Sequence, residues 1–218
     1  MTQNPKAFRL KIDWDDQLTN SKFEHKYGGY PSNGVILPRC SSCNASYHLL
    51  FQIDLRDENL SFLNLRDLDY FYMISCLNCA TYEKPVYYHL NDHQEIVVER
   101  ESPGKYISEY PVPLEEHRVS CEKLLDHEYP ESENGFYKLP AKRGNHQLGG
   151  IPLWVQDEEH ISCIKCKREM SYLAMVDTEL YIGKDGFRER GHMFGDNGIL
   201  YVFVCRRCNY FSAVAQGL

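Results

Sequence analysis

Cys40-Ser41-Ser42-Cys43-Asn44-Ala45-Ser46-Tyr47-His48-Leu49-Leu50-Phe51-Gln52-Ile53-Asp54 places a C-x-x-C turn directly ahead of an apolar run that ends on an aspartate. The same order returns 123 positions later, where Cys163 and Cys166 precede Leu173-Ala174-Met175-Val176-Asp177. Each stretch is followed by a further pair, Cys76/Cys79 after 32 intervening residues and Cys205/Cys208 after 38. These second pairs lie 129 apart, and an apolar run enters each: Phe71-Tyr72-Met73-Ile74-Ser75 and Leu200-Tyr201-Val202-Phe203-Val204. Upstream, His25-Lys26-Tyr27-Gly28-Gly29-Tyr30-Pro31 matches His146-Gln147-Leu148-Gly149-Gly150-Ile151-Pro152 at an offset of 121. A tandem duplication accounts for all of these matches together.

Eight of the nine cysteines fall in the four pairs, so each copy supplies four thiolates, the ligand count of a closed tetrahedral zinc site. The expectation is two structural zinc ions, one held by Cys40, Cys43, Cys76 and Cys79 and the other by Cys163, Cys166, Cys205 and Cys208. A closed four-sulfur site has no open position for water, so such an ion supplies folding energy and not catalysis. Intrapair disulfides, a thioredoxin-like redox role and an iron–sulfur cluster are the competing chemistries of these spacings. Pairing between copies, such as Cys40/Cys43 with Cys163/Cys166, also stays open. The residue after such a turn often needs positive φ, and Asn44 and Asn209 suit it, while Lys167 and Ala80 occupy the other two places. Cys121, with His117 and His127 near it in sequence, reads as an incidental or buried thiol.

The 218 residues carry a formal net charge of −7, which opposes binding to a phosphate backbone unless a local basic patch overrides it. Such a patch exists in sequence at Lys165, Lys167, Arg168, Arg206 and Arg207, all beside the second set of cysteines. The amino terminus lacks the apolar core of a signal peptide, and no apolar run is long enough to cross a bilayer. The chain is therefore expected to be a cytoplasmic protein without membrane contact, with nucleic acid disfavoured as a partner and the oligomeric state unread.

Alternation and β-branched or aromatic enrichment predict strands at Phe8 to Trp14, Tyr47 to Leu55, Asp69 to Ser75, Pro85 to Leu90, Ser171 to Val176, Gly198 to Val204 and Tyr210 to Val214. The expected layout is a first repeat over 1–90, an acidic proline-containing insert over 91–145 and a second repeat over 146–218. Within the insert a short helix is predicted around Leu114 to Leu125 and a loop at Glu131 to Gly135. Gly195-Asp196-Asn197-Gly198 precedes a strand and reads as a turn, a poor phosphate cradle. His25 and His146 recur beside glycines, and the expected role is a structural turn in which the imidazole satisfies buried backbone groups.

His146-Gln147-Leu148-Gly149-Gly150-Ile151-Pro152-Leu153-Trp154-Val155-Gln156, followed by Gly195-Asp196-Asn197-Gly198 and an aromatic strand, resembles the YwqG-like bacterial proteins. With its cysteine pairs the chain is also similar to the carboxy-terminal region of programmed cell death protein 2. The resemblance covers the last 75 residues or so. Its full motif is absent from the first copy, where Ser32-Asn33 stands in place of Leu153-Trp154. It implies a β-rich α+β fold of two similar halves and no established enzymatic activity, while the knuckle, strand, strand, knuckle order of each half is itself the layout of a zinc-ribbon-like site of four cysteines. It also implies a protein-binding role, either as an immunity protein that neutralises a toxin or as a chaperone of a basic ribosomal client. Negative charge suits either partner.

Overall fold

The computed structural model describes residues 6–18, 21–65, 67–80, 84–101, 105–106, 109–125, 132–133, 136–137, 144–182, 189–192, 194 and 198–217. Its strands are β1 (Ala7–Ile12), β2 (Lys26–Tyr27), β3 (His48–Asp54), β4 (Tyr70–Ser75), β5 (Cys79–Ala80), β6 (Val86–Leu90), β7 (Ile96–Arg100), β8 (Lys105–Tyr106) and β9 (His117–Lys123). They continue with β10 (Ser132–Glu133), β11 (Phe136–Tyr137), β12 (Gln147–Gly149), β13 (Ser171–Asp177), β14 (Glu179–Ile182), β15 (Glu189–His192), β16 (Ile199–Cys205) and β17 (Tyr210–Gln216). Helical structure among the described residues is confined to two 3-10 turns, Ser32–Gly34 and Glu58–Leu63, so the helical part of the expected α+β class is not found there. None of the described helices is long and apolar enough to cross a membrane.

Eleven strands form one sheet in the order β4-β3-β2-β9-β1-β12-β13-β16-β17-β6-β7. Outward from the β9–β1 pair the order is the same in both directions: β2 then β3 then β4 on one side, β12 then β13 then β16 on the other. The hairpins match in detail, since a bulge falls between Leu49 and Phe51 on β3 and between Tyr172 and Ala174 on β13. The sheet curls until its β4 edge meets the opposite end. There Phe71 stacks on Phe211 at 5.1 Å, and the Tyr88 hydroxyl donates to the Tyr72 carbonyl at 3.0 Å. The enclosed core draws on both ends of the chain, including Phe8, Leu10, Phe51, Leu148, Val202 and Phe211. A second cluster, with Leu153, Ile161, Met175, Tyr201 and Phe203, covers the outer face of β13 and β16, which is why every residue of β16 is buried.

The predicted helix around Leu114 to Leu125 is a strand. His117 and Val119 are buried and Arg118 is exposed, a two-residue period, and β9 pairs with β1 through Leu10↔Cys121 and with β2 through Tyr27↔His117. Two sheet partners override the helix-like spacing of charges in that stretch. Ser132–Glu133, expected in a loop, instead pair with Phe136–Tyr137 as β10 and β11. Of the glycine turn before β16, residues 195–197 lie outside the described residues, as do His127 and Ile107.

Candidate metal centres

Each first cysteine pair sits on a tight turn closed by backbone bonds. The Cys40 amide donates to the Ala45 carbonyl at 2.9 Å and the Asn44 amide to the Cys40 carbonyl at 2.9 Å. At the second site the Cys163 amide donates to the Arg168 carbonyl at 2.8 Å and the Lys167 amide to the Cys163 carbonyl at 2.9 Å. Isolated bridges, Arg39↔Ser46 and Ser162↔Glu169, clamp the two turns at equivalent places. Closing them this tightly requires a left-handed residue after the second cysteine, and Asn44 (φ 59°), Lys167 (φ 61°) and Asn209 (φ 52°) supply it. Ala80 instead belongs to β5, which pairs with β8.

The strands bring each first pair to its second pair. Cys40, Cys43, Cys76 and Cys79 form one group and Cys163, Cys166, Cys205 and Cys208 another, with the four sulfurs of each group all within 4.8 Å of one another. The sulfurs are therefore gathered within each half of the chain and not across the halves. Sγ separations are 3.9 Å for Cys40 and Cys79, 3.6 Å for Cys43 and Cys76, and 3.6 Å for Cys166 and Cys205. Four sulfurs arranged tetrahedrally around an ion at the zinc–sulfur distance of about 2.3 Å stand about 3.8 Å apart. A disulfide needs about 2.05 Å. The spacing fits a metal and not a bridge, and an all-thiolate donor set suits zinc or another soft ion.

Burial and neighbouring sulfurs shift the thiols of each group in opposite directions. Burial and the neighbouring sulfurs push Cys76 well above the ordinary thiol range and Cys79 up to about 12. Burial and then the Cys166 and Cys205 sulfurs push Cys208 up to about 12. Against this, the Arg168 amide holds Cys166 down to about 7. A divalent cation bound at either group would stabilise the thiolate form of its ligands. Around the first group, the Leu77 amide donates to His48 Nδ1 at 3.3 Å, and Glu101 accepts from the Ser41 amide at 3.1 Å and from the Tyr47 hydroxyl at 2.9 Å.

The recurring histidines hold the sheet together. The Asp54 amide donates to His25 Nδ1 at 3.1 Å, and the Asp177 amide donates to His146 Nδ1 at 3.2 Å. A carboxylate faces the other nitrogen in both copies: Asp57 at 3.4 Å from His25 Nε2 and Glu179 at 3.1 Å from His146 Nε2. Sequence matching misses this pairing, because the carboxylates stand three and two positions after the matched aspartates. Burial lowers the His25 pKa, so that ring is neutral. His25 also borders a cavity of about 320 Å³ shared with Ser32, Lys26, Glu116 and Arg118. Cys121 lies on β9, pushed up to about 12 by burial and the nearby Asp57 charge, and is a protonated thiol at neutral pH.

Fold and site together define a β-sheet protein with two four-cysteine groups that can each hold a metal ion. No family model matches the chain, and no solved structure matches it. A stretch of 62 residues is 37% identical to the Uncharacterized protein YpfL of Salmonella typhimurium, covering 28% of this chain and spanning 12% of that protein.

Proposed function

We propose that the chain is a non-enzymatic protein-binding module whose two four-cysteine groups hold structural zinc ions. The observation that carries this reading is the pair of equivalent all-sulfur clusters, each closed by its own turn and each with a spacing that fits a tetrahedral ion. Two further observations support it. His25 and His146 each spend one nitrogen on a main-chain amide and face a carboxylate with the other, so neither is arranged to take a proton from a substrate. Cys121, the one cysteine outside the clusters, is held protonated, which removes the nucleophile. The matched bulges, knuckles and histidine bonds support a tandem duplication as the history we propose for the chain.

The partner we propose is a basic protein, and the resemblance to YwqG-like proteins makes toxin neutralisation the form of that binding. Exposed Asp15, Asp16, Glu115 and Glu116 gather at the start of β9, where Asp16 and Glu115 flank His117. That acidic rim is the side a basic surface would meet. The test is binding of zinc-loaded chain to purified basic toxin domains and, for the chaperone alternative, to basic ribosomal proteins. The expected result is saturable binding to a toxin domain that the Asp15→Lys, Asp16→Lys, Glu116→Lys variant loses. Binding that survives the charge reversal contradicts the assignment of the rim.

A further inference from the structure

The two clusters share a backbone design but differ in charge. At the second site Lys165, Lys167, Arg168, Arg206 and Arg207 are all exposed. The matched positions of the first site are Ser42, Asn44, Ala45, Leu77 and Asn78, none of them charged. The first site gathers its four sulfurs without cations at these places, Leu77 and Asn78 being buried there, so the cradle geometry itself does not require the second site's five. Each lies within two residues of a cysteine whose sulfur belongs to the same 4.8 Å group, which keeps the five backbone positions within roughly 15–20 Å of one another.

Nor is the patch neutralised from within. Among the described residues no carboxylate forms an ion pair with any of the five; the ion pairs fall on Lys11, Lys26, Arg56 and histidines. The acids beside it keep their charge but bond other groups: Glu169 faces His160 at 3.0 Å, Glu159 accepts from Gln216 at 3.2 Å, and Glu99 accepts from the Tyr210 hydroxyl at 3.1 Å. Two of the cations have a local task, since Lys167 donates to the Ile164 carbonyl at 2.8 Å and Arg206 to the Leu63 carbonyl at 3.0 Å. Lys165, Arg168 and Arg207 have no such bond to the protein among the described residues, Lys165 standing 5.5 Å over the Tyr210 ring.

We infer that the second cysteine knuckle is a docking surface for an acidic segment of a protein chain, separate from the acidic rim at β9. Guanidinium groups match carboxylates with two parallel hydrogen bonds, and a cluster of cations held in no ion pair among the described residues steers such a segment to one place on an acidic protein. Nucleic acid fits less well on two grounds. Among the described residues the large exposed apolar side chains are Tyr30, Ile36, Val112 and Leu125, none of them beside these cations in sequence, so the described part of the patch offers no bare aromatic face for base stacking. Without these five cations the chain's charge is −12 in place of −7, and a long polyanion running more than about 8 Å past the patch meets that field.

The inference rests on the second group being held together by metal, so zinc content is measured on every sample. The experiment is fluorescence anisotropy with the full zinc-loaded chain at near-physiological salt. Its probes are a labelled peptide of about ten residues alternating Glu and Ser, long enough to span the patch, its Gln counterpart, and a single-stranded RNA of similar length. The Lys165→Ser, Arg168→Ser, Arg207→Ser variant removes the three cations that hold no structural bond. The expected result is binding of the Glu peptide and not the Gln peptide, weakened at least tenfold in the variant with two zinc ions retained. Where the triple variant sheds zinc, Arg207→Asn alone, which places there the residue of the matched Asn78, must still weaken the peptide. Zinc-loaded protein that ignores the Glu peptide, binds RNA more tightly, or binds equally well without the cations overturns the proposal. Loss of zinc from the unaltered chain instead identifies a failure of the metal reading.

Discussion

Gly28 and Gly149 each hold a left-handed backbone at the entry to matched turns, with φ of 67° and 64°. At Gly28 a Cβ would come 2.2 Å from the Glu115 carbonyl oxygen, a backbone atom of the segment leading into β9. The turn therefore needs glycine for its conformation and for the close approach of the next strand. Gly28→Ala is expected to lose more than about 1 kcal/mol, because both the dihedral and the space are incompatible with a side chain. Chemical denaturation checks this; a change in midpoint too small to resolve would mean that β2 and β9 are not held this close. Residues of this kind are legible in sequence because the His-x-x-Gly-Gly spacing recurs. Lys167 is not, since nothing in a lysine announces a φ of 61° until the knuckle around it closes.

At the scale of elements, the second copy's Ile151 to Val155 segment lies against β16, and one side chain fixes it there. The Tyr201 hydroxyl donates to the Leu153 carbonyl at 2.5 Å and accepts from the Val155 amide at 3.1 Å. Tyr201 is fully buried, so removing the hydroxyl leaves two interior backbone groups unpaired. Tyr201→Phe is expected to cost about 1–3 kcal/mol. Thermal unfolding measures it, and an unchanged melting temperature would show that the segment finds other partners. The strands flanking the cysteine pairs are readable because each is a continuous apolar run between turn residues. The stretch around Leu114 to Leu125 reads falsely as a helix, and only the place of β9 between β1 and β2 makes it a strand. That pairing is non-local, and no property of the segment alone contains it.

Taken as a whole molecule, the sheet encloses several neutral histidines. Burial lowers the pKa of His25 and His48, and His192, fully enclosed with its Nδ1 3.1 Å from the Tyr27 hydroxyl, lies well below its ordinary value. The unfolded chain takes up protons on these rings near pH 6.5 while the folded chain does not. Their contribution is therefore intact above that pH and is lost progressively below it. Melting temperature is expected to fall between about pH 7 and pH 5.5 before zinc is released; a flat profile with zinc retained would show that these rings protonate freely in the fold. The cysteine clusters are the most legible part of the molecule, since ligand type and spacing are local properties. Which pairs combine, and which carboxylates face His25 and His146, depends on how the chain folds back on itself.

The central claim is that two structural ions hold the two knuckle pairs in one sheet, and elemental analysis of protein purified without added metal, coupled to chelator titration followed by circular dichroism, tests it most directly. Two zinc ions per chain, with loss of the β spectrum as they are withdrawn, is the predicted result. Metal well below two per chain in a protein that keeps its fold, or a fold that persists after chelation, would contradict the account.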